Sequence, residues 1–279
     1  MTSISAETAA RGKRIGVLLI HGLCGSPAEM RFIANGLQRA GYDVECPELA
    51  GHGGTAERLA ASSWQDWYRS AEEAFDALES RCDEVVVGGL STGAVLALML
   101  AANRGTRVAA TLLFAPTLWL NGWSIPWYAR LFGLVRHKWL ASFIRFPSAQ
   151  NNGIKDERVR AFVRSALECA ARSGRAPTHT PGGAVLERRW LAEATLRCLG
   201  RVGQPALIVH PRDDDYAGLS NAWHLQRKLR GGVDMCVLED SYHYVTVDRQ
   251  RHVVLARAVE FLGRVTPAGL QSAPVRLVA

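Results

Sequence analysis

Short apolar runs that alternate with helical patterns are the feature of this 279-residue chain that most constrains its fold. Residues 14–20 and 85–89 are continuous apolar segments of strand length, and a segment with helical spacing follows each of them. Continuous apolar strands are typical of parallel sheets that are buried on both faces. The alternation therefore predicts an α/β fold with a mostly parallel central sheet and helices on both of its faces. The predicted strands are residues 14–20, 42–47, 85–89, 108–115, 205–210 and 234–238, and the predicted helices are residues 27–40, 64–81, 91–103, 220–229 and 252–262.

The alternation stops in the middle of the chain. Residues 117–201 contain five of the eight tryptophans and no convincing strand pattern. We interpret this segment as a helical cap that is inserted over one edge of the sheet. Residues 1–116 and 202–279 then form the core domain, and the length of the chain suits one large domain with an insertion.

The composition argues against several other classes of protein. Hydrophobic residues make up 48% of the chain and charged residues 21%, which argues against disorder. No apolar stretch reaches the ~20 residues that span a bilayer, and the N-terminus lacks the apolar core of a signal peptide. We therefore expect a cytoplasmic protein without stable membrane insertion. The net charge is +7, but no nucleic-acid-binding motif accompanies it, so no nucleic-acid partner is predicted. The six scattered cysteines are expected to be reduced, and the oligomeric state is left open.

The five residues Gly89-Leu90-Ser91-Thr92-Gly93 lie where a predicted strand meets a strongly apolar helix. A Gly-x-Ser-x-Gly sequence in this context indicates a serine held on a sharp turn. The glycines remove side chains that would clash with neighbouring backbone, and the helix N-terminus supplies free N–H groups. The alternative interpretation is a glycine-rich helix start with serine as the N-cap. The context favours Ser91 as a catalytic nucleophile.

A serine hydroxyl becomes a good nucleophile only when a base accepts its proton. His243 is the best placed of the eight histidines, because it follows the last predicted strand and precedes the last predicted helix. It should therefore lie in a loop at the carboxyl end of that strand. Other histidines have structural explanations, since His224 and His252 lie within helical patterns and His210 ends a strand. Position and role favour His243 as the base.

A third group must orient the base, and in this architecture the acid lies between the serine and the histidine in the sequence. Three consecutive carboxylates, Asp213, Asp214 and Asp215, follow the predicted strand at residues 205–210. Only one of them can face the histidine, and the other two are expected to be solvated or to cap the next helix. We predict Asp214 as the acid, and the spacing leaves Asp213 and Asp215 as alternatives.

Ester hydrolysis also needs N–H donors that are aimed at the oxyanion of the transition state. One is the N–H group of Thr92, directly after the serine. The second lies in the exit loop of the first strand, with Leu23 as the preferred position, because the neighbouring glycines let the backbone approach a substrate closely. An ordinary strand-to-helix turn with Pro27 at the helix start is the alternative. These residues imply no metal and no organic cofactor.

Together these motifs resemble the α/β-hydrolase superfamily, and within it bacterial carboxylesterases and monoacylglycerol lipases with a small helical cap. The resemblance covers about residues 14–115 and 203–262, and the insertion matches in position and length more than in sequence. The matching elements are His21-Gly22-Leu23…Gly25, the Pro47…Gly51-His52-Gly53 loop, the Trp64/Trp67 helix, the segment 89–93, Ile208-Val209…Arg212-Asp213-Asp214 and Ser241-Tyr242-His243…Asp248.

The resemblance implies an α/β-hydrolase fold and the same role for each matched residue. Ser91 is implied as nucleophile, His243 as base and Asp214 as acid. Leu23 and Thr92 are implied as oxyanion donors.

One residue next to the base departs from the family pattern. Many relatives carry Ser-Gly-His where this chain has Ser-Tyr-His, so the ring of Tyr242 is expected to crowd the base.

The insertion bears on the choice of substrate. Residues 126–140 mix aromatic and basic residues. They can line an acyl pocket, form an interfacial lid that contacts lipid transiently, or simply pack on the sheet domain. We prefer the acyl pocket, with an apolar acyl group beneath the cap. The predicted substrate-binding residues are Trp119, Trp123, Trp127 and Tyr242.

The sequence therefore predicts a serine carboxylic-ester hydrolase that works through an acyl-enzyme. Its partner is a small-molecule ester with a small or medium apolar acyl group. A thioesterase or amidase could use the same residues, because they do not dictate the leaving group. A non-catalytic ligand-binding protein is the alternative from a different class, since a fold alone does not prove chemistry.

Overall fold

A parallel sheet forms the centre of the protein in a computed structural model, which describes residues 13–147 and 153–266. In chain order the strands are β1 (Ile15–Ile20), β2 (Asp43–Glu45), β3 (Glu84–Leu90), β4 (Val108–Phe114), β5 (Arg145–Pro147), β6 (His179–Pro181), β7 (Ala206–Pro211) and β8 (Val233–Leu238). Within the described residues the main sheet has six strands in the order β2-β1-β3-β4-β7-β8. Every neighbouring pair in it is parallel, so the predicted sheet is confirmed.

Helices follow most of the strands of the main sheet, as the alternation predicts. They are α1 (Arg31–Arg39), α2 (Ala56–Ala61), α3 (Trp64–Glu79), α4 (Thr92–Arg104), α5 (Lys138–Ala141), α6 (Glu157–Arg172), α7 (Gly182–Cys198), α8 (Ser220–Lys228) and α9 (Arg251–Val265). Shorter 3-10 segments include Pro27–Met30, which leads into α1, and Trp127–Leu134. In the part of the chain that the structure describes, no helix is both long and apolar enough to cross a membrane.

Side chains at successive strand positions enter two separate hydrophobic cores. In β1, Leu18 and Ile20 pack into the core that contains Trp67 of α3. Val17 and Leu19 pack into the core formed with α1 and α9. All five side chains are fully buried, and each such burial stabilises the fold by roughly 2 kcal/mol. Because strand side chains alternate between faces, helices must cover both sides of the sheet, with α3, α4, α7 and α8 on one side and α1 and α9 on the other.

The middle of the chain contains a short antiparallel pair that its sequence pattern does not predict. Strands β5 and β6 pair so that Phe146 lies opposite Thr180. Three-residue strands that end in proline show too little alternation to be recognised, so the expectation of an insertion without strands is wrong here. Helix α7 shares the core of α3 and α4 through Leu191 and Ala192. The division into a core and a cap at residues 117–201 therefore stays a prediction.

The parallel sheet decides where the chemistry-bearing residues meet. Ser91 follows β3, Asp214 follows β7, and His243 lies in the loop after β8. The carboxyl ends of parallel strands lie at one edge of a sheet, and ligands bind there in open α/β sheets. The three residues are thus brought to the same edge from positions that are far apart in the sequence.

Candidate active site

The turn between β3 and α4 holds Ser91 in a strained backbone conformation. Its φ is 57° and its ψ is −113°. Such values are rare outside glycine and persist only where the surrounding structure enforces them. The surrounding packing gives the reason, because a Cβ atom on Gly93 would overlap the carbonyl oxygen of Ile20, and one on Gly89 would overlap the backbone of Gly93. The two glycines therefore let β1, β3 and α4 approach closely enough to force the turn.

The Ser91 hydroxyl contacts a buried threonine. Ser91 Oγ lies 3.2 Å from Oγ1 of Thr117, which is 1% exposed. The Thr117 hydroxyl donates its single proton to the carbonyl oxygen of Ala115, 3.0 Å away. Because that proton is already used, the Ser91 hydroxyl is the donor in its contact with Thr117. Thr117, which no motif singles out, therefore orients the Ser91 side chain.

The predicted acid and base form a buried pair. Nδ1 of His243 lies 2.8 Å from Oδ2 and 3.0 Å from Oδ1 of Asp214. The two residues are 4% and 2% exposed. Oδ1 of Asp214 also accepts hydrogen bonds from the N–H groups of Tyr216 and Ala217, at 2.8 Å and 2.7 Å. An Nδ1–H group that is bonded to a carboxylate leaves Nε2 of the ring as a proton acceptor.

Burial and neighbouring charges compete in setting the pKa values of this pair. Burial alone would raise the pKa of Asp214, but the His243 charge and the hydrogen bonds outweigh it and hold this pKa below its ordinary value. Burial alone would lower the pKa of His243. The carboxylates of Asp214, Asp215 and Glu29 outweigh it, so this pKa lies above its ordinary value. The protein therefore stabilises the carboxylate of the acid and the imidazolium form of the base.

The three consecutive carboxylates lie in different environments. Asp213 is exposed. Asp215 is fully buried, and its carboxylate accepts hydrogen bonds from the backbone N–H groups of His243 at 3.2 Å and Gly153 at 2.6 Å. Of the three, Asp214 makes the side-chain contact with the imidazole. The expectation that both neighbours of Asp214 are solvated or cap a helix is wrong for Asp215, because two buried N–H groups need its carboxylate as an acceptor.

A second buried carboxylate, that of Asp248, also forms hydrogen bonds to the backbone around His243. We call residues 241–244 the histidine loop and residues 153–156 the strap. Asp248 Oδ2 accepts hydrogen bonds from the N–H groups of Tyr242 at 2.8 Å and Lys155 at 2.9 Å. Both buried carboxylates thus bond to the histidine loop and to the strap, and they fasten one to the other. The sequence analysis includes Asp248 in a matched motif and Asp215 among the candidate acids, but it predicts this anchoring role for neither of them.

Within the described residues Ser91 and His243 share no hydrogen bond, and the Ser91 hydroxyl is bonded to Thr117. Both nevertheless border Glu29. A Cβ atom on Gly22 would lie 3.6 Å from Cβ of Ser91 and 3.5 Å from Oε2 of Glu29. The Glu29 charge in turn acts on His243. A hydroxyl has one proton to donate, so the Ser91 hydroxyl must give up its hydrogen bond to Thr117 before it can donate to the imidazole.

The two predicted oxyanion donors lie beside this serine. Thr92 is the first residue of α4, and Leu23 lies in a turn that is closed by a 3.1 Å hydrogen bond from the Gly25 N–H group to the Gly22 carbonyl oxygen. Within the described part of the chain, the backbone N–H groups of Leu23 and Thr92 donate no hydrogen bond to the protein. They are therefore available to a ligand oxygen atom.

Glu29 is a further charged group at this turn. Its Oε2 atom accepts a hydrogen bond from the Gly22 N–H group at 3.0 Å. Burial raises the pKa of Glu29 to about 7, although this hydrogen bond and the His243 charge act in the opposite direction. A Cβ atom on Gly25 would overlap the carboxylate, so a larger residue at that position would displace the Glu29 side chain. The sequence does not single out Glu29, because an acidic residue at a helix start is common.

The rings that pack on His243 are those of Tyr216 and Tyr244, with centroids 5.1 Å and 5.8 Å from the imidazole. The ring of Tyr242 contacts Trp123 instead, at 5.5 Å, and the Lys155 ammonium group lies over it. The expectation that Tyr242 crowds the base is therefore wrong. The backbone turn that Asp248 holds points this ring away from the imidazole and toward the cap.

The other predicted substrate-binding residues lie in different places. The Trp119 ring packs against His224 at 5.2 Å, and its Nε1 donates to Ser220 Oγ at 3.3 Å, so it faces α8. Trp123 is 64% exposed and Trp127 is 77% exposed. The structure thus brings Trp123 and Tyr242 together, whereas Trp119 faces α8. Their roles in substrate binding stay predictions.

These groups define what the sheet edge can do chemically. A serine, an imidazole–carboxylate pair and two unused N–H groups can transfer protons and stabilise a developing oxyanion. Among the residues that the structure describes, no three side chains of His, Cys, Asp or Glu are grouped so that they could hold a metal ion.

Comparisons with known proteins agree with this geometry. The sequence profile of the alpha/beta hydrolase family matches residues 17–257. A thermostable monoacylglycerol lipase from Bacillus sp. (strain H-257) is 28% identical over 251 residues, which cover 90% of this chain and 91% of that enzyme. A carboxylesterase from Bacillus subtilis (strain 168) is 33% identical over 91 residues, which cover 32% of this chain and 37% of that enzyme.

Solved structures show the same relationship. One that was described with LipS and LipT, two metagenome-derived lipolytic enzymes, is 32% identical and has a TM-score of 0.75, over 91% of this chain and 95% of that one. A soluble variant of monoglyceride lipase from Saccharomyces cerevisiae has a TM-score of 0.73 at 13% identity, over 91% of this chain and 88% of that one, and shows a shared fold. The sheet, the serine turn and the family match over most of the sequence lead to one conclusion: this chain belongs to the α/β-hydrolase family and is similar to lipases and esterases within it.

Proposed function

We propose that this protein is a serine carboxylic-ester hydrolase that works through an acyl-enzyme. The observation that supports this most directly is the buried pair of His243 and Asp214, with 2.8 Å between Nδ1 and Oδ2. The pair lies at the sheet edge that holds Ser91 on its strained turn. A base that is oriented by an acid, next to a serine, is the arrangement that makes a hydroxyl nucleophilic.

In the first half-reaction, Nε2 of His243 accepts the Ser91 proton while Oγ forms a bond to the ester carbonyl carbon. The N–H groups of Leu23 and Thr92 donate to the oxyanion of the tetrahedral intermediate. The carbon–oxygen bond to the alcohol then breaks, and the imidazolium returns the proton to the departing alkoxide. Asp214 stabilises the imidazolium throughout and stays ionised.

In the second half-reaction, water takes the place of the alcohol. His243 accepts a proton from the water, and the hydroxide oxygen bonds to the acyl carbon. The bond to Ser91 Oγ then breaks, the imidazolium returns the proton to Oγ, and a carboxylic acid leaves. The same groups act in both halves, so one buried acid–base pair serves the whole cycle.

The substrate in this proposal is an ester with an apolar acyl group, and we place it beneath the cap. The similarity to proteins named as a monoacylglycerol lipase and as lipolytic enzymes supports this choice. The cap also exposes many large apolar side chains, and such surfaces mark interaction sites. We therefore include a transient contact between the cap and lipid. The exposed residues are Trp123, Trp127, Leu131, Leu134, Trp139, Leu140, Phe143 and Phe162.

A fluorophosphonate probe tests the reaction class. We expect covalent labelling of Ser91 in the wild type, no labelling in Ser91→Ala, and loss of p-nitrophenyl hexanoate hydrolysis by several orders of magnitude in that variant. Thr106→Ala, which changes an exposed hydroxyl far from the site, is the matched control. Labelling that survives in Ser91→Ala would exclude the proposal. Matched oxygen esters, thioesters and amides of one acyl group then rank the leaving groups.

Vesicle sedimentation tests the lipid contact. We expect weak binding to neutral phosphatidylcholine vesicles, and we expect it to fall in the double variant Leu134→Ser, Phe143→Ser. Equal sedimentation of both proteins would remove the lipid contact from the proposal and leave the esterase activity unaffected. The cytoplasmic location belongs to the same proposal, and cell fractionation tests it.

A further inference from the structure

Arg188 of α7 is a buried cation that forms no ion pair with any residue that the structure describes. The residue is 7% exposed. Among the described residues its single hydrogen bond runs from Nη1 to the carbonyl oxygen of Thr117, at 3.1 Å. Its Nε atom is buried and has no hydrogen-bond partner in the described part of the chain. A guanidinium carries five N–H donors, so most of those of Arg188 have no acceptor among the residues with described positions.

The charged residues next to Arg188 in α7 form ion pairs, so the lack of one is particular to Arg188. Glu187 forms an ion pair with Lys138, with 2.9 Å between Oε1 and Nζ. Arg189 forms an ion pair with Glu193 at 3.4 Å and also donates to three carbonyl oxygens of the cap. Both of these glutamates of α7 therefore pair with cations other than Arg188. Arg188 forms no ion pair with a described carboxylate.

A buried charge without a counter-ion is unfavourable, because burial removes most of its hydration and one hydrogen bond to a carbonyl oxygen replaces only part of it. Burial and the Arg189 charge lower the pKa of Arg188 to about 10, so the guanidinium stays charged at neutral pH. Proteins break the rules of packing mainly at functional sites. The free protein thus carries a cost that a bound anion would remove.

The position of Arg188 connects this unmet charge to the candidate active site. Its guanidinium donates to the backbone of Thr117, and the hydroxyl of the same threonine contacts Ser91 Oγ at 3.2 Å. A single residue therefore separates the cation from the proposed nucleophile. A group bound by Arg188 would belong to a molecule that also reaches Ser91.

We propose that Arg188 binds a carboxylate carried by the ester substrate, and that it selects for esters with such a group near the scissile bond. The inference rests on the proposed role of Ser91. A guanidinium matches a carboxylate with two parallel hydrogen bonds, and the pair excludes neutral analogues because they would leave the cation unpaired. The carboxylate can lie on the acyl side or on the alcohol side of the ester.

Two pairs of matched esters test whether the enzyme selects for a carboxylate, and they show whether that carboxylate lies on the acyl side or on the alcohol side. On the acyl side, p-nitrophenyl hydrogen adipate is compared with p-nitrophenyl hexanoate. On the alcohol side, the hexanoyl ester of 4-hydroxybenzoate is compared with that of its methyl ester. We expect the wild type to prefer the anionic member of one pair in kcat/KM by roughly tenfold or more. Arg188→Met should remove this preference, and Arg188→Lys should retain part of it.

Arg197→Gln is the matched control, because Arg197 is an exposed arginine of the same helix. It should keep the wild-type ratio in both pairs. A wild type that prefers the neutral ester in both pairs would overturn the inference. So would an Arg188→Met protein that loses activity equally toward anionic and neutral esters, since a structural residue would act in that way.

Thermal unfolding gives a readout that needs no catalysis. Without ligand, Arg188→Met should unfold at the same or a higher temperature than the wild type, because an apolar side chain suits the buried site better. Adipate should raise the melting temperature of the wild type and of Ser91→Ala, but not that of Arg188→Met, whereas adipamide should raise none of them. A destabilised Arg188→Met, or an equal adipate shift in all proteins, would refute the carboxylate site. If Ser91→Ala stays active but the adipate shift depends on Arg188, the proposed function fails and the anion site stands.

Discussion

Oδ2 of Asp214 lies 2.8 Å from Nδ1 of His243 and 3.5 Å from Nε2 of His210, so that one buried carboxylate faces two imidazoles. His210 Nε2 also lies 2.5 Å from the carbonyl oxygen of Ala217, and an Nε2–H group donates to it. Burial lowers the pKa of His210, against the effect of Asp214. Burial thus favours the neutral form of His210. The imidazole that the Asp214 carboxylate can stabilise in its charged form is therefore that of His243.

Replacing the carboxylate of Asp214 should remove most of the esterase activity. In Asp214→Asn the side chain can no longer stabilise the imidazolium or select the Nδ1–H tautomer, and a fall in kcat of roughly 10³–10⁴-fold is expected. Asp213→Asn is the matched control, because the adjacent carboxylate is exposed. Steady-state kinetics on p-nitrophenyl hexanoate measure kcat of both variants and of the wild type. Equal losses in the two variants would contradict the assignment of the acid.

Replacing Asp215 should shift the pH dependence of activity. In the proposed mechanism His243 accepts a proton and must therefore be neutral, so kcat/KM should fall as the pH drops through the pKa of His243. The groups that raise this pKa are Asp214, Asp215 and Glu29, and the rings of Tyr216 and Tyr244 face the same imidazole. Asp215→Asn removes one negative charge, so the acidic limb of the profile should move to lower pH.

The variant Asp248→Asn shows whether the loss of a backbone anchor, rather than of a charge near the imidazole, changes the pH profile. In the wild type the Asp248 carboxylate accepts hydrogen bonds from the backbone of the histidine loop and the strap. Loss of these charge-assisted hydrogen bonds should lower the free energy of unfolding by about 2 kcal/mol and reduce kcat. The acidic limb should move less than in Asp215→Asn. Identical limbs in Asp215→Asn and the wild type would show that the Asp215 charge does not tune the base.

Adding one methyl group to the serine turn should be costly. In Gly93→Ala the new Cβ would overlap the Ile20 carbonyl oxygen, and we expect a loss of about 2 kcal/mol in the free energy of unfolding together with most of the activity. Gly263→Ala in α9 is the matched control, since a Cβ there meets open space and should stabilise the helix by about 0.5–1 kcal/mol. Urea unfolding measures both. A Gly93→Ala protein as stable as Gly263→Ala would contradict the packing account.

Two buried histidines should make the protein less stable in mild acid. Burial lowers the pKa of His21 to about 3 and that of His52 to about 4, from an ordinary value of 6.5. Below pH 6.5 the unfolded chain therefore binds protons that the folded protein does not, and stability falls until the pH reaches the folded pKa values. At pH 5 each histidine should lower the free energy of unfolding by about 2 kcal/mol.

The variant His52→Asn tests the contribution of one of these histidines. Asparagine retains a donor for the Ala50 carbonyl oxygen, which His52 Nδ1 contacts at 3.2 Å. Urea unfolding at pH 7.5 and at pH 5 should show a smaller difference for this variant than for the wild type. An unchanged difference would mean that His52 takes no part in the acid sensitivity.

The sequence pattern predicts the sheet and the serine turn well, because both depend on local signals. Continuous apolar strands must be buried on both faces, and Gly89 and Gly93 mark a turn that larger residues cannot form. The β5–β6 pair escaped prediction, since three-residue strands carry almost no periodicity. The burial of Asp215 also escaped prediction, because its two N–H partners come from segments that are distant in the sequence.

The sequence by itself determined which residue types are present and in what order: Ser91 on its turn, an acid after one strand and a histidine after the next. Only the tertiary structure decided which aspartate faces His243 and which carboxylates connect the histidine loop to the strap. It also decided that Arg188 is buried without an anionic partner among the described residues. Local propensity acts between neighbours in the chain, whereas burial and charge act between whichever groups the fold brings together.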